Sequence, residues 1–158
     1  QLVDGKTTFI ETKIGSANEC SYAIIDLTPV YRNDLKSASR KVCLYPNGAL
    51  EVEDTFEALS DKEAVIERRF LTKAESVVEN DSFRLTLPDP ARKGSFLSKS
   101  LSTETSTDKL IERKIEPCGT EEIYDSKNPG VSILIEKSVL SPGEKIIFTS
   151  HFSPTVTP

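Results

Sequence analysis

The sequence has little of the chemistry that most catalytic sites require. Among its 158 residues there is no methionine, no tryptophan and a single histidine, His151. The lack of tryptophan disfavours an aromatic sugar-binding platform, where we most expect that residue. No acid and no second histidine lies near His151 in sequence. We therefore interpret it as a surface or sheet-edge residue rather than a catalytic base.

Long apolar runs and clusters of basic residues are also missing. No stretch reaches the roughly 18 apolar residues that span a bilayer. The 20 basic and 25 acidic residues give a formal charge of −5 and are spread along the chain. We therefore expect no membrane contact and no nucleic-acid partner. Because the chain begins at Gln1 and has no methionine, we expect it to be a piece of a longer polypeptide.

The cysteines do not form a recognisable metal or redox motif. Cys20, Cys43 and Cys118 are odd in number, far apart in sequence, and without a second cysteine or histidine at ligand spacing. They are packing residues or, alternatively, one disulfide plus a free thiol. The sequence predicts no metal site and no cofactor.

What the chain does contain is alternation of apolar and polar residues, which is typical of strands with one face on a core. Tight-turn signals such as Pro46-Asn47-Gly48 separate the alternating segments. The pattern predicts ten or eleven short strands in one domain over residues 1–158. The expected fold class is all-β, as an antiparallel β-sandwich or stacked large sheets, because no parallel-sheet rhythm is present.

Several segments carry more specific expectations. Thr7–Ile14 is predicted to be the first strand, and Gly15–Asn18 the turn that ends it. Ser21–Thr28 has a continuous apolar centre, which indicates a strand buried on both faces. Ser95–Thr107 is interpreted as a solvent-facing strand and Lys109–Ile115 as its neighbour.

One strand places a charge among its apolar side chains. In Ala49–Phe56, alternation puts Asp54 on the same face as Leu50 and Val52. Arg40 lies on the predicted hairpin partner, and an inward charged pair is tolerated only if its two members satisfy each other. We therefore expect a structural ion pair between Arg40 and Asp54, with sugar binding by Arg40 as the alternative.

The segment Asp26-Leu27-Thr28-Pro29-Val30-Tyr31, followed by Arg40 and by Leu50-Glu51-Val52-Glu53-Asp54, resembles the C-terminal half of the heparinase II/III-like polysaccharide lyases. Glu67–Thr72 and Ser141–Pro154 continue the resemblance as pattern and order. It implies a supersandwich-like sheet region that faces an N-terminal α/α toroid, which lies outside this chain. Such enzymes cut uronic-acid-containing polysaccharides, glycosaminoglycans among them, by β-elimination.

The resemblance also sets expectations for the site. The family's catalytic Tyr, His and Asn/Arg groups lie mainly in the toroid and early sheet strands, so no catalytic residue carries over. Its structural metal is held by His and Asp residues upstream of the matching segment, so no metal ligand carries over. The weak candidates for substrate binding are Asp26, Thr28, Tyr31 and Arg40. We favour the alternative that Asp26 and Thr28 are groups that fix a turn.

These observations support two functional hypotheses. The first is a non-catalytic C-terminal module of a bacterial, periplasmic or secreted lyase, with the toroid of the same polypeptide as partner and acidic polysaccharide as the substrate of the parent. The second is an autonomous carbohydrate-binding or cell-surface adhesion sandwich. As an excised sheet, the chain is also a candidate homodimer, since pairing would cover apolar surface.

Overall fold

Strands are the dominant secondary structure of the computed structural model. It describes residues 2–3, 6–7, 12–17, 20–88, 91, 93–106, 109, 111–118, 128 and 130–155. The elements in chain order are β1 (Leu2–Val3), β2 (Lys6–Thr7), β3 (Thr12–Ala17), β4 (Cys20–Asp26), α1 (Thr28–Tyr31), β5 (Leu35–Leu44), β6 (Leu50–Ala58), β7 (Ala64–Thr72), β8 (Glu75–Glu79), β9 (Ser82–Pro88), β10 (Phe96–Thr105), β11 (Glu112–Pro117), β12 (Ser132–Leu140) and β13 (Lys145–Thr155). Within these residues no helix is long and apolar enough to cross a membrane.

Two sheets of unequal width make up the sandwich. The large sheet has eight strands in the order β3-β4-β5-β6-β13-β10-β9-β8, and the small sheet has three in the order β11-β12-β7. Neighbouring strands run antiparallel throughout both sheets. β1 and β2 pair separately. The predicted all-β antiparallel sandwich is therefore confirmed.

The core lies between the two sheets and follows the alternation of the sequence. In β6 every second residue is buried, at Val52, Asp54, Phe56 and Ala58. We call the face of the large sheet that carries these residues the inner face. The main apolar cluster on it joins both sheets: Leu35, Ala38, Phe56, Ala58, Ala64, Ile66, Leu140, Ile146 and Phe148. A second cluster contains Phe83, Leu101 and Leu134.

The predicted hairpin between β5 and β6 is present. Gly48 has φ of +79°, a conformation that glycine adopts without a Cβ clash. The Tyr45 N–H donates to the Ala49 carbonyl at 3.0 Å, which closes the turn. The turn sets the register that places Arg40 opposite Asp54.

The predicted end of the first strand is wrong. Gly15–Ala17 belong to β3 and pair with β4 rather than forming a turn. Gly15 is explained by a close approach instead, because a Cβ there would lie 2.5 Å from the Tyr22 hydroxyl oxygen. Thr12–Ile14 do lie in a strand, whereas residues 8–11 of the predicted first strand lie outside the described residues.

Three other expectations about strands are corrected. β4 is only half-buried at its apolar centre, because the narrower small sheet leaves that end of the large sheet open. β10 faces solvent on one side only, at Ser102 and Glu104, because it is an interior strand between β13 and β9 with Leu101 fully buried. β11 is not its neighbour, since β11 pairs with β12 in the small sheet.

Candidate functional site

The centre of the sandwich contains an ion pair that the hairpin register creates. Arg40 and Asp54 are direct cross-strand partners. The Arg40 Nε donates to Asp54 Oδ1 at 2.6 Å and its Nη2 donates to Oδ2 at 2.9 Å. The bond to Asp54 raises the pKa of Arg40 above its ordinary value, and burial acts in the opposite direction. The predicted ion pair is present, while its structural role and a role of Arg40 in sugar binding both stay predictions.

This pair is one end of a longer row of charges, which we call the charge ladder: Arg40, Asp54, Arg68, Glu136 and Arg113. From β7, Arg68 donates through Nε to Asp54 at 2.7 Å and through Nη1 to Glu136 at 2.8 Å. From β11, Arg113 donates through Nε to Glu136 at 3.1 Å. The ladder therefore alternates in sign and ties both sheets together.

Hydroxyls and aromatic rings complete the surroundings of the ladder. Arg68 Nη2 donates to Ser150 Oγ at 2.7 Å, and the Thr103 hydroxyl donates to Glu136 at 3.0 Å. The Arg68 guanidinium carbon lies 5.1 Å from the ring centre of Phe70 and 4.9 Å from that of Phe148. Such cation–π contacts and directed hydrogen bonds are what make a buried guanidinium tolerable.

The ladder carries one more positive than negative charge, because three arginines face two carboxylates. Its members differ in exposure. The side chain of Arg40 is 31% exposed, whereas that of Arg113 at the other end is 7% exposed and the inner three are essentially buried. Arg40 is therefore the most solvent-exposed member of the ladder.

Arg40 opens into a groove of about 590 Å³ between the edge of β7 and the α1–β5 region. The groove is lined by Leu27, Tyr31, Asp34, Leu35, Arg40, Phe56 and residues 62–69. Some of the charged side chains that line the groove pair with each other, for example Lys62 with Asp34 at 3.0 Å. The groove thus presents a tyrosine, a partly free guanidinium and apolar walls.

The structure separates the four predicted binding residues into two pairs. Tyr31 and Arg40 both line the groove. Asp26 and Thr28 instead fix the turn into α1, where the Thr28 N–H donates to Asp26 Oδ1 at 2.9 Å. Hydrogen bonds from the Thr28 hydroxyl and N–H hold the pKa of Asp26 below its ordinary value. The Thr28 hydroxyl also bonds both backbone groups of Ala38, at 3.1 and 3.2 Å.

His151 has an acidic neighbour that the sequence did not predict. β13 lies between β6 and β10, so His151 is not at a sheet edge. Its Nδ1 is 3.5 Å from Glu51 Oε2, the carboxylate oxygen that also accepts a 3.5 Å bond from the Tyr45 hydroxyl. The negative charge of Glu51 makes the largest contribution to raising the pKa of Tyr45 above its ordinary value.

The three cysteines are free thiols. Cys43 is buried on β5, and burial raises the pKa of its thiol, with a further contribution from neighbouring Cys20. Among the described residues, no group of three or more His, Cys, Asp or Glu side chains is arranged to hold a metal ion.

Sequence reasoning missed Arg68, Glu136 and Arg113. Alternation contained a signal for two of them, because Arg68 falls between inward Ile66 and Phe70, and Glu136 follows inward Leu134 by two residues. An inward charge on a strand needs a partner, as Asp54 did. The identity of that partner depends on sheet packing.

No family profile and no curated protein matches this sequence. Solved structures of heparinase III do match its fold. One, with methylated lysines, has a TM-score of 0.61 and 10% identity over 93% of this chain. Two others have TM-scores of 0.60, with 10% identity over 92% and 11% identity over 90% of the chain. The chain has the fold of part of heparinase III. It spans only about a fifth of those proteins, 21–22% of their length.

Proposed function

We propose that this chain is a non-catalytic β-sandwich module at the C-terminal end of a heparinase II/III-like polysaccharide lyase. The proposal rests on the structural match to heparinase III. The match covers 93% of this chain but only 22% of that protein. The remaining polypeptide would supply the α/α toroid, and the two parts would form a cleft for uronic-acid-containing polysaccharide. The module would back and orient that cleft. The parent would act in the bacterial periplasm or outside the cell, where such polysaccharides occur.

The chemical requirements of β-elimination are consistent with a non-catalytic role for this chain. The reaction needs a base for the proton α to the uronate carboxyl, an acid for the leaving oxygen, and a group that neutralises the carboxylate. In the described part of the chain the buried acids Asp54 and Glu136 are both bonded by arginines. Both carboxylates are also fully buried, so neither is placed to contact a substrate.

The test compares this chain with the full reading frame that contains it. Each is incubated with heparan sulfate, chondroitin sulfate, hyaluronan and alginate, and unsaturated uronate is followed by ultraviolet absorbance. We expect product only from the longer protein. Product from the 158-residue chain alone would overturn the non-catalytic assignment, and the absence of product from both would argue against a lyase.

The groove favours a second candidate, an autonomous carbohydrate-binding sandwich. Tyr31 can stack on a sugar ring and Arg40 can meet a uronate carboxylate, and both line the same opening. This function predicts that the isolated chain binds an acidic glycan in titration calorimetry. Tyr31→Ala should then abolish binding, whereas Tyr45→Ala, which lies outside the groove lining, should preserve it.

A further inference from the structure

The small sheet ends at a long strand edge. β7 pairs with β12 through all nine of its residues, and no strand in the described part of the chain pairs with its other edge. Consecutive residues 62–69 line the groove, so the groove runs along this edge. Unpaired edges of this length are places where another strand can add by main-chain hydrogen bonds.

Beyond that edge the large sheet continues with β5, β4 and β3, and no described strand of the small sheet lies past β7. Residues directly opposite each other in a sheet share a face, so Ile14, Ala23 and Val42 lie in one inner-face row with buried Val52. Ile14 is 84% exposed, and Leu44 in the adjacent row is 53% exposed. The inner face therefore carries apolar residues on both sides of β7. Among the described strands, the small sheet covers only the side on which β12 and β11 lie.

The charge ladder places a positive group on this open path. Arg40 projects from the inner face between the Leu35 end of β5 and its Leu44 end. Its bonds to Asp54 use Nε and Nη2, which leaves Nη1 outside that pair. At the other end of the ladder Arg113 Nη1 lies 4.0 Å from Asp81, so the place for one more acid is at Arg40, whose side chain is 31% exposed.

We propose that the edge of β7 accepts a further β-strand, which continues the small sheet over β5 and β4. The strand would direct apolar side chains onto the Leu35 and Leu44 ends of β5 and an acidic side chain onto Arg40. We assign it to the longer polypeptide that contains this chain, so the inference rests on the proposed function. The matching heparinase III chains have nearly four-fifths of their length outside the matched region.

Two synthetic nine-residue peptides test the proposal on the 158-residue chain. Both alternate valine and threonine, and the central valine is replaced by glutamate in one and by lysine in the other. We expect the glutamate peptide to bind at least about tenfold more tightly, because lysine would meet Arg40 with like charge. Hydrogen exchange should show new protection of β7 backbone amides only with the glutamate peptide. Equal binding of both peptides, or protection elsewhere, would overturn the proposal.

Two surface variants sharpen the test. Leu44→Asp places a charge beneath the added strand. It should lower the affinity for the glutamate peptide by about tenfold or more. Val77→Asp makes the same change on β8 at a comparably exposed position, 44% against 53%, and should leave binding unchanged. Equal effects of the two variants would contradict strand addition, as would a dimer of the chain that seals the β7 edge. Lyase activity is not part of either readout, so failure of this inference and failure of the proposed function are distinguishable.

Discussion

The inner face of the large sheet has two regions that follow the same alternation but differ in their cover. Beneath the small sheet, β6, β13 and β10 contribute Asp54, Ser150 and Thr103 to a dry network of charges and hydroxyls. Beyond β7, β3 and β5 leave Ile14 and Leu44 exposed. The covered region therefore holds buried polar groups beside the apolar core, whereas the open region leaves apolar side chains exposed.

The difference shows what each arrangement requires. A buried charge costs several kcal/mol of desolvation, so it persists only where geometry supplies complete partners, as the charge ladder does. Exposed apolar rows on a sheet face indicate a surface that another element covers. The buried charges of the covered region have their partners within the chain, and the open region is the surface on which we propose that a further strand packs.

Breaking the ladder at its middle should have the largest effect. Arg68→Ala leaves Asp54 and Glu136 buried with their charges only partly compensated. We expect a loss of about 3–5 kcal/mol in the free energy of unfolding, measured by urea denaturation. Should this variant not fold, Arg68→Lys keeps the charge but not the three directed bonds, and a smaller loss of about 1–3 kcal/mol is expected.

The neighbouring arginine on β7 is the control for that experiment. Arg69 is exposed and pairs with Glu67 on the outer face. Arg69→Ala should change the free energy of unfolding by less than about 0.5 kcal/mol. A similar loss for Arg68→Ala and Arg69→Ala would show that burial of the ladder is energetically unimportant.

A second prediction concerns the turn beside the groove. Thr28→Val removes a half-buried hydroxyl that bonds both backbone groups of Ala38, so we expect a loss of about 1–2 kcal/mol. If Thr28 only fixes the turn, glycan turnover by the full-length protein should keep its kcat and KM when assayed below the unfolding temperature. A raised KM with unchanged stability would instead identify Thr28 as a sugar-binding residue.

Two buried serines provide a smaller, matched contrast. Ser150 bonds Arg68 and Thr103, whereas the buried Ser138 hydroxyl has no hydrogen-bond partner among the described residues. Ser150→Ala should cost about 1 kcal/mol, while Ser138→Ala should be neutral or stabilise by about 0.5 kcal/mol. Thermal unfolding of the two variants measures the difference. The same sign for both changes would contradict the assigned partners.

The local part of this architecture could be predicted from the sequence. Pro46-Asn47-Gly48 fixes a hairpin, the hairpin fixes a register, and alternation then places Arg40 opposite an inward Asp54. All three steps use residues fewer than 15 positions apart, so local rules were sufficient. The resemblance around Asp26–Tyr31 likewise predicted the fold that the heparinase III structures share.

The rest of the site depends on contacts that local rules do not encode. Arg68 and Glu136 are 68 positions apart, and Arg68 and Ser150 are 82 apart. Their meeting depends on which strands enter the small sheet and how that sheet sits on the large one. The same dependence explains the error for β11, whose alternation fits either sheet, and the unforeseen pairing of Glu51 with His151 across β6 and β13.

The smallest predicted effect is a pH dependence at the connection between the sheets. Glu144 accepts a bond from Lys109 at 2.9 Å and one from the Ser141 N–H at 2.8 Å, and these lower its pKa from 4.5. A lowered pKa means that ionised Glu144 favours the folded state. That contribution is complete above pH 4.5 and is lost as the pH falls through the lower folded-state value.

Glu144→Gln should therefore lower the urea midpoint at neutral pH, and the difference from the parent chain should shrink as the pH falls below 4.5. Glu63→Gln, an exposed change in the preceding loop between β6 and β7, is the matched control and should show no such convergence. Because Glu144 lies in the turn that carries the chain from β12 in the small sheet to β13 in the large one, its effect reports on the crossover itself. A difference that stays constant with pH would show that the side chain acts there through its shape rather than its charge.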